Sequence, residues 1–234
     1  MEKLKSELEE LLRQLPDQAA FRQRLANLVS VYPFNEYEYI ISTLLAMEVL
    51  SLDAYHDLRN GYIARERYLP IFQISSPTGF GKTWASEHLR ELVPELRGPD
   101  SNEYDFKLDD RIRIEVKASR AVDKGSRKPL HEKALLSDSR AQFLMNFQQL
   151  KPACCDAFVW IAVWRDLIRY WVLSSREVET NRHYSSGQHR GNVGEGQLHV
   201  REDNIQDFAA YEAKPTELAN AIRQAYKRQT TPQV

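Results

Sequence analysis

The sequence predicts an α/β fold of the α+β type, with a central mixed β-sheet flanked by helices and preceded by a helical N-terminal region. Residues 105–108 and 111–117 alternate polar and apolar side chains with a period of two, which is typical of half-buried strands. Residues 157–164 form a continuous apolar run, as expected of a strand buried on both faces. Helical spacing of apolar residues over residues 1–68 predicts the N-terminal helices.

The N-terminal region is expected to contain four helices. The first covers residues 2–15, and Asp17, Asn35 and Ser51 are the expected N-caps of the next three. Apolar stripes on these helices, which include Leu11, Leu12, Ile40, Ile41 and Leu44, predict either a helical core or a dimer interface. We therefore expect a helical region at 1–68 and a second domain at 69–234.

The remaining elements follow in order along the second domain. Residues 82–92 are expected to form a helix that Pro94 stops, and Asp109-Asp110 marks the turn of a hairpin. The other predictions are a helix at 142–150, strands at 157–164 and 168–173, a short helix capped by Ser174-Ser175, and a helix at 216–228.

The register of the hairpin follows from its alternation. A three-residue loop, 109–111, pairs Leu108 with Ile112 and Phe106 with Ile114, which collects the apolar side chains on one face. A two-residue loop would mix polar and apolar side chains on both faces. The three-residue loop is therefore the prediction.

The same register defines the polar face of the hairpin. Asp105 is expected directly opposite Glu115, with Lys107, Arg113 and Lys117 on the same face. Directly opposed side chains in an antiparallel pair have Cβ atoms about 5 Å apart. Two carboxylates that close repel each other unless a cation lies between them. Two carboxylates and a lysine are also the groups needed to hold a divalent metal against a phosphodiester that water attacks.

This hairpin, which ends in the E-x-K unit Glu115-Val116-Lys117, resembles the catalytic core of the PD-(D/E)XK nucleases, the fold of most Type II restriction endonucleases. The resemblance implies a restriction-endonuclease-like core in residues 69–234. It also implies that Asp105 and Glu115 bind Mg²⁺ and that Lys117 orients the attacking water or helps to deprotonate it. Magnesium is expected rather than zinc because the ligands are hard oxygen atoms.

Two of these assignments have competitors. The literal Pro-Asp pair of the family name occurs at Pro99-Asp100, in a predicted loop, so Asp100 competes with Asp105 for the role of first acid. Many nucleases of the family carry a further glutamate on the helix before the hairpin, where it completes the metal shell. Glu87 matches that position, and Glu91 is the alternative.

Contacts to DNA are predicted from local charge, because the whole chain is balanced with 32 Lys+Arg and 33 Asp+Glu. A basic segment with Gly125-Ser126 at its centre follows the hairpin, and a second polar stretch covers residues 181–192. The candidate DNA contacts are Arg120, Lys124, Arg127, Lys128, Arg182, His183, Gln188, His189, Arg190 and Asn192. A solvated surface is the alternative for both segments, and the histidine spacing fits no common zinc pattern.

Residues 76–83, with the sequence Ser-Pro-Thr-Gly-Phe-Gly-Lys-Thr, indicate a different class of function. They are similar to the G-x-x-x-x-G-K-[ST] loop of P-loop NTPases, with residues 71–74 as the strand that must precede it. Ser76 replaces the first small residue of that pattern, and no clean Walker B strand follows. The other interpretation is a Gly-containing turn that begins the helix bearing Glu87.

A Type II restriction endonuclease that hydrolyses double-stranded DNA with Mg²⁺ is the function that these features predict. A homodimer is expected, because two active sites related by a two-fold axis cut both strands of a palindrome. The alternatives are a P-loop-type NTP-binding module, a repair or junction-cleaving nuclease of the same fold, and a non-catalytic DNA-binding protein. Adjacent Cys154-Cys155 predict no disulfide framework and a reducing cytoplasm, and no membrane-length apolar run is present.

Overall fold

The computed structural model describes residues 2–31, 36–186 and 195–231. The chain divides into two compact units, Met1–Arg67 and Tyr68–Val234, whereas the sequence placed the boundary after residue 68. Helices occur together with a mixed sheet whose strands pair both parallel and antiparallel. The predicted fold class is therefore confirmed.

The first unit is helical. Its helices are α1 (Glu2–Arg13), α2 (Gln18–Val31), α3 (Glu36–Ala46) and α4 (Leu52–Glu66). Asp17 accepts a hydrogen bond from the Ala20 N–H at 2.9 Å, and Ser51 caps α4 by accepting from the Ala54 N–H at 3.2 Å. Asn35, the third predicted cap, lies outside the described residues. The predicted apolar stripes form the core of this unit, with Leu11, Leu12, Leu15, Ile40, Ile41 and Leu44 buried.

The second unit contains the sheets. Its helices are α5 (Leu69–Gln73), α6 (Ala85–Leu92), α7 (Ser175–Glu179) and α8 (Leu218–Thr230), with a π-helix at Gly79–Trp84 and 3₁₀ turns at Pro152–Cys154, Ile205–Tyr211 and Pro215–Glu217. Its strands are β1 (Phe106–Leu108), β2 (Ile112–Arg120), β3 (Val122–Asp123), β4 (Phe143–Leu150), β5 (Ala157–Val163), β6 (Ile168–Ser174), β7 (Tyr184–Ser186), β8 (Gly196–Val200) and β9 (Glu212–Ala213).

Two sheets organise the second unit. The first has five strands in the order β1-β2-β5-β6-β9, and β2 and β5 are its parallel pair. The second has four strands in the order β3-β4-β8-β7, all antiparallel. Parallel strands need a long crossover connection, and here β3 and β4 lie within the crossover from β2 to β5. The second sheet is thereby brought beside β2.

Strand β5 is buried on both faces, as its apolar run predicts. Val159 and Ile161 pack into a core with residues of α5, α6 and α8, and Phe158 and Trp160 pack into a second core with residues of β4 and β8. Alternate side chains of a strand point to opposite faces. The five-stranded sheet is therefore covered by helices on one face and by the second sheet on the other.

One predicted element is wrong, and a second that only the P-loop interpretation requires is not formed. Residues 142–150, expected to be a helix, form strand β4, in which Phe143, Met145 and Phe147 are buried. Residues 71–74, which the P-loop interpretation requires as a strand, belong largely to helix α5, which has proline in its first turn. Cross-strand pairing of Met145 with Val200 supplies β4 with hydrogen-bond partners that are distant in sequence. Local apolar spacing carries no information about such partners.

Candidate active site

The hairpin of β1 and β2 has the predicted register. Leu108 pairs with Ile112 and Phe106 pairs with Ile114 in an antiparallel ladder. Asp109 and Asp110 turn the chain with φ angles of 53° and 55°, a left-handed conformation that aspartate tolerates better than most residues. All four paired apolar side chains are buried. The polar face of the hairpin is thus the face that carries Glu115 and Lys117.

Asp105 lies beside Glu115 at the start of this ladder. Its N–H donates to the Ile114 carbonyl at 2.9 Å, and its Oδ2 accepts a hydrogen bond from the Val116 N–H at 2.8 Å. The partners in these two bonds, Ile114 and Val116, are the residues immediately before and after Glu115. The backbone therefore fixes the Asp105 carboxylate next to the second acid.

Glu115 and Lys117 form a largely buried ion pair. The Lys117 Nζ lies 2.6 Å from the Glu115 Oε1, and the two side chains are 19% and 13% exposed, respectively. Burial raises the pKa of the Glu115 carboxyl, the Lys117 ammonium opposes that rise, and the Asp105 carboxylate adds to it. Burial is therefore the main cause of the raised Glu115 pKa, and the neighbouring Asp105 charge is a smaller one.

Asp105, Glu115 and Lys117 line one pocket of about 590 Å³. Thr78, Phe80, Gly81 and Lys82 of the π-helical segment also line it, as do Asn146, Gln148 and Gln149 of β4. The three side chains that the sequence predicted as a catalytic set are thus brought together in a concave, polar site. Such sites are where ligands and substrates usually bind.

The raised pKa of Glu115 predicts a pH-dependent stability in the absence of divalent metal. The folded state holds the Glu115 proton more tightly than the unfolded chain, so this contribution to stability is full below the unfolded pKa and is lost as pH rises through the folded pKa. Glu115→Gln removes the titrating group. We expect the melting temperature of the wild type to fall relative to Glu115→Gln across that pH range. A difference between the two proteins that stays constant with pH would contradict this, and exposed Glu87→Gln is the matched control.

The two competing acids are placed differently. Asp100 forms an ion pair with Lys107, has a side chain that is 69% exposed, and is not among the residues that line the pocket. Glu87 is exposed on α6, because that helix buries Ala85 and Leu89 on its opposite side, and it does not line the pocket either. Asp105 is the acid that the structure brings to Glu115.

Arg120 lines the pocket but is engaged by the protein. Its Nη1 donates to the carbonyls of Ile71 and Ile74 at 3.1 and 2.8 Å, and its guanidinium lies 4.0 Å from the centre of the Phe80 ring. Arg120 was predicted to contact DNA. In the structure its guanidinium fixes the end of α5 against the π-helical segment.

Arg120→Ala is therefore expected to lower the free energy of unfolding by about 1–3 kcal/mol, because two carbonyls lose a charged donor. Urea denaturation measures this change. Arg127→Ala, which alters an exposed arginine in the following loop, is the matched control and should leave stability unchanged. Equal stability of wild type and Arg120→Ala would return Arg120 to the set of candidate DNA contacts.

The other candidate DNA contacts fall into three groups. Lys124, Arg127 and Lys128 are exposed in a loop whose two ends, Val122 and Leu130, line the pocket. In the second group, Arg182 and His183 both contact Asp207 Oδ2, at 2.6 and 2.7 Å, and these hydrogen bonds lower the pKa of Asp207. The third group, Gln188, His189, Arg190 and Asn192, lies outside the described residues. The basic loop after β3 is thus the candidate contact that borders the pocket.

The P-loop interpretation lacks its structural context. The segment before Ser76 is helix α5 rather than a strand, and Gly79–Trp84 is helical. The Gly79 N–H donates to Ser76 Oγ at 3.2 Å and the Phe80 N–H to the Ser76 carbonyl at 3.0 Å. These donors are used within the turn instead of facing a phosphate. The geometry agrees with the other interpretation, a Gly-containing turn that leads into α6.

Several pocket residues were missed by the sequence analysis. Asn146, Gln148 and Gln149 were assigned to a helix, because Phe143, Phe147 and Leu150 fit helical spacing. Phe143, Met145 and Phe147 also alternate with a period of two, which is the strand pattern, so the local sequence is ambiguous here. Lys82 was considered only as part of a P-loop, yet its side chain is exposed at the pocket. Period-two alternation was therefore the available signal for the β4 wall.

The donor set of the pocket fits Mg²⁺. Across the described ranges, no three His, Cys, Asp or Glu side chains come together as a metal-binding group. Mg²⁺ needs fewer protein ligands than that, because it keeps several waters and commonly binds through one or two carboxylates and substrate phosphates. Asp105 and Glu115 supply two adjacent carboxylates that line the same pocket.

The chain matches no protein-family model, and no curated protein matches it significantly. In the part of the chain that the structure describes, no helix has both the length and the apolar composition needed to cross a membrane.

Proposed function

We propose that this chain is a magnesium-dependent endodeoxyribonuclease that cuts double-stranded DNA at specific sites, in the manner of a Type II restriction endonuclease. One observation carries the proposal: Asp105, Glu115 and Lys117 line a single pocket on a hairpin of a mixed sheet. Two carboxylates and a lysine in this order match the catalytic set of the PD-(D/E)XK nucleases.

The two acids are oriented by the protein before any substrate binds. Asp105 Oδ2 is held by the Val116 N–H, and Glu115 Oε1 is held by the Lys117 ammonium. When bound, Mg²⁺ would polarise the scissile phosphate and lower the pKa of a bound water. Fixed carboxylates lower the barrier because they need no reorganisation during the reaction.

Lys117 has two roles in this proposal. Its ammonium is next to the acids, where the attacking water and the scissile phosphate would meet, so it positions the water by donating a hydrogen bond. The same charge stabilises the negative charge that develops on the phosphate in the transition state. Lys82, exposed at the same pocket, is available as a second cation for a phosphate oxygen.

The surroundings of the pocket favour a DNA substrate. Lys124, Arg127 and Lys128 are exposed on the loop that borders the pocket, where they would contact the phosphates flanking the cut. Arg127 and Lys128 are adjacent in the sequence of this loop and are both exposed. Sequence-independent phosphate contacts of this kind position a duplex over an active site.

Incubation of the purified protein with plasmid DNA and Mg²⁺, followed by sequencing of the fragment ends, tests the proposal. Discrete fragments that share a sequence at their ends are the expected result. A smear would indicate a nonspecific or repair nuclease of the same fold, and intact plasmid with Mg²⁺ present would overturn the proposal. Omission of the metal should abolish cleavage, because the acids alone cannot activate the water.

The predicted homodimer is tested separately by light scattering on the purified protein. A dimer would pair two copies of the pocket and allow both strands of a palindromic site to be cut in one encounter. A monomer that still cuts both strands would require two successive binding events.

A further inference from the structure

Strand β4 presents a row of amide side chains to the candidate active site. Asn146, Gln148 and Gln149 line the same pocket as Glu115 and Lys117. Amides carry both a hydrogen-bond donor and an acceptor, whereas lysine and carboxylates carry one kind only. The amides of the β4 wall can therefore form hydrogen bonds with a ligand that offers both a donor and an acceptor.

The backbone contacts of β4 show how this row is placed along β2. The Asn146 N–H donates to Ser119 Oγ at 2.9 Å, and the Asp156 N–H, further along the chain, donates to the Arg113 carbonyl at 2.9 Å. The chain between these two contacts passes β2 from its Ser119 end to its Arg113 end. Gln148 and Gln149 lie in that interval, and both line the pocket that Lys117 of β2 also lines.

A bulge in β4 turns two consecutive side chains toward solvent at the pocket. The pairing with β8 shifts register between Phe147 and Leu150, and Gln149 has a φ of 54°. Consecutive residues of a regular strand point to opposite faces, but Gln148 and Gln149 are both exposed and both line the pocket. Left-handed backbone is unfavourable for glutamine, and such strain is concentrated at functional sites.

Asn146 differs from its two neighbours in this row. Its Oδ1 is buried, and its amide nitrogen donates to Gln197 Oε1 at 3.4 Å. A duplex cannot reach a buried atom. Gln148 and Gln149 are exposed, so their amides are the ones that can contact a base edge at the pocket.

We propose that the two exposed β4 amides, Gln148 and Gln149, read a base pair next to the scissile phosphate and select adenine there. Glutamine and asparagine pair with adenine by accepting from its N6 amino group and donating to its N7. The inference rests on the proposed function, because it concerns the specificity of the same pocket. It assigns to β4 the sequence selectivity of the enzyme at this base pair.

Cleavage of a duplex library, randomised at the base pairs around the mapped cut, tests this inference. The variants are Gln148→Ala, Gln149→Ala and the nearly isosteric Gln148→Glu, and Gln142→Ala is the matched control because Gln142 is exposed but does not line the pocket. Sequencing the cut products gives the preference at each position. Melting curves establish that every variant is folded.

We expect wild type and Gln142→Ala to require adenine at one position, and Gln148→Ala or Gln149→Ala to relax that preference by about 5- to 150-fold at that position alone. Gln148→Glu should relax it too, since the carboxylate has lost the donor for N7. An unchanged preference, or an equal loss of cleavage on all sequences, would overturn the inference. Wild-type cleavage without base preference would overturn this inference alone, whereas no wild-type cleavage of any DNA would overturn the proposed function and this inference with it.

Discussion

Lys117→Ala is expected to slow single-turnover cleavage of a mapped DNA site by about 10²–10³-fold at saturating Mg²⁺. The substitution removes the ammonium that lies 2.6 Å from Glu115 Oε1, and with it the donor to the attacking water and the positive charge beside the transition state. DNA affinity should change little, because the flanking phosphates are held by the basic loop. The effect is therefore expected in the rate of the chemical step.

Lys107→Ala is the matched control for this substitution. Lys107 lies on the neighbouring strand β1 and its side chain is 20% exposed, close to the 19% of Lys117, but it pairs with Asp100 away from the pocket. It should cleave at a rate near that of the wild type. Equal losses in the two variants would mean that the cleavage defect of Lys117→Ala reflects damage to the hairpin.

Glu115→Gln is expected to lower the cleavage rate by about 10³-fold or more, because a neutral amide is a poor ligand for Mg²⁺ and the metal supplies several kcal/mol of transition-state stabilisation. Mg²⁺ should also stabilise the folded wild type by about 2.7 kcal/mol at one hundred times its dissociation constant, and stabilise the variant far less. Thermal melting with and without Mg²⁺ measures the second effect without relying on activity.

Glu87→Gln provides the comparison for Glu115→Gln. Glu87 was predicted as a third metal ligand, but the structure leaves it exposed on α6 and outside the pocket lining. We expect this variant to cleave DNA and to respond to Mg²⁺ as the wild type does. Loss of the metal-induced stabilisation in Glu87→Gln, or its retention in Glu115→Gln, would contradict the assignment of the metal ligands.

Side-chain alternation was enough to predict the hairpin of the site. Burying Phe106, Leu108, Ile112 and Ile114 on one face permits a single register, and that register places Asp105 beside Glu115. The apolar run of β5 was equally informative, because a strand that is buried on both faces has an apolar side chain at every position. Sequence pattern thus predicts the elements whose buried positions can be identified from their own side-chain spacing.

Elements that depend on distant partners could not be predicted in this way. Strand β4 is stabilised by pairing with β8, about fifty residues further along the chain, where Met145 lies opposite Val200. Its apolar residues satisfy either a helical or a strand pattern until that partner is known. The position of Glu87 depends on packing in the same way. Helix α6 buries Ala85 and Leu89, and the face that they occupy decides where Glu87 points.

The single-turnover rate of Asp105→Asn, compared with that of Asp100→Asn, tests the central claim most directly. Both are isosteric changes of an aspartate in the same segment, but Asp105 lines the pocket beside Glu115 and Asp100 pairs with Lys107 outside it. We predict that Asp100→Asn cuts DNA at the wild-type rate and that Asp105→Asn is slower by about 10²-fold or more. Wild-type cleavage by Asp105→Asn would contradict the assignment of this pocket as the active site.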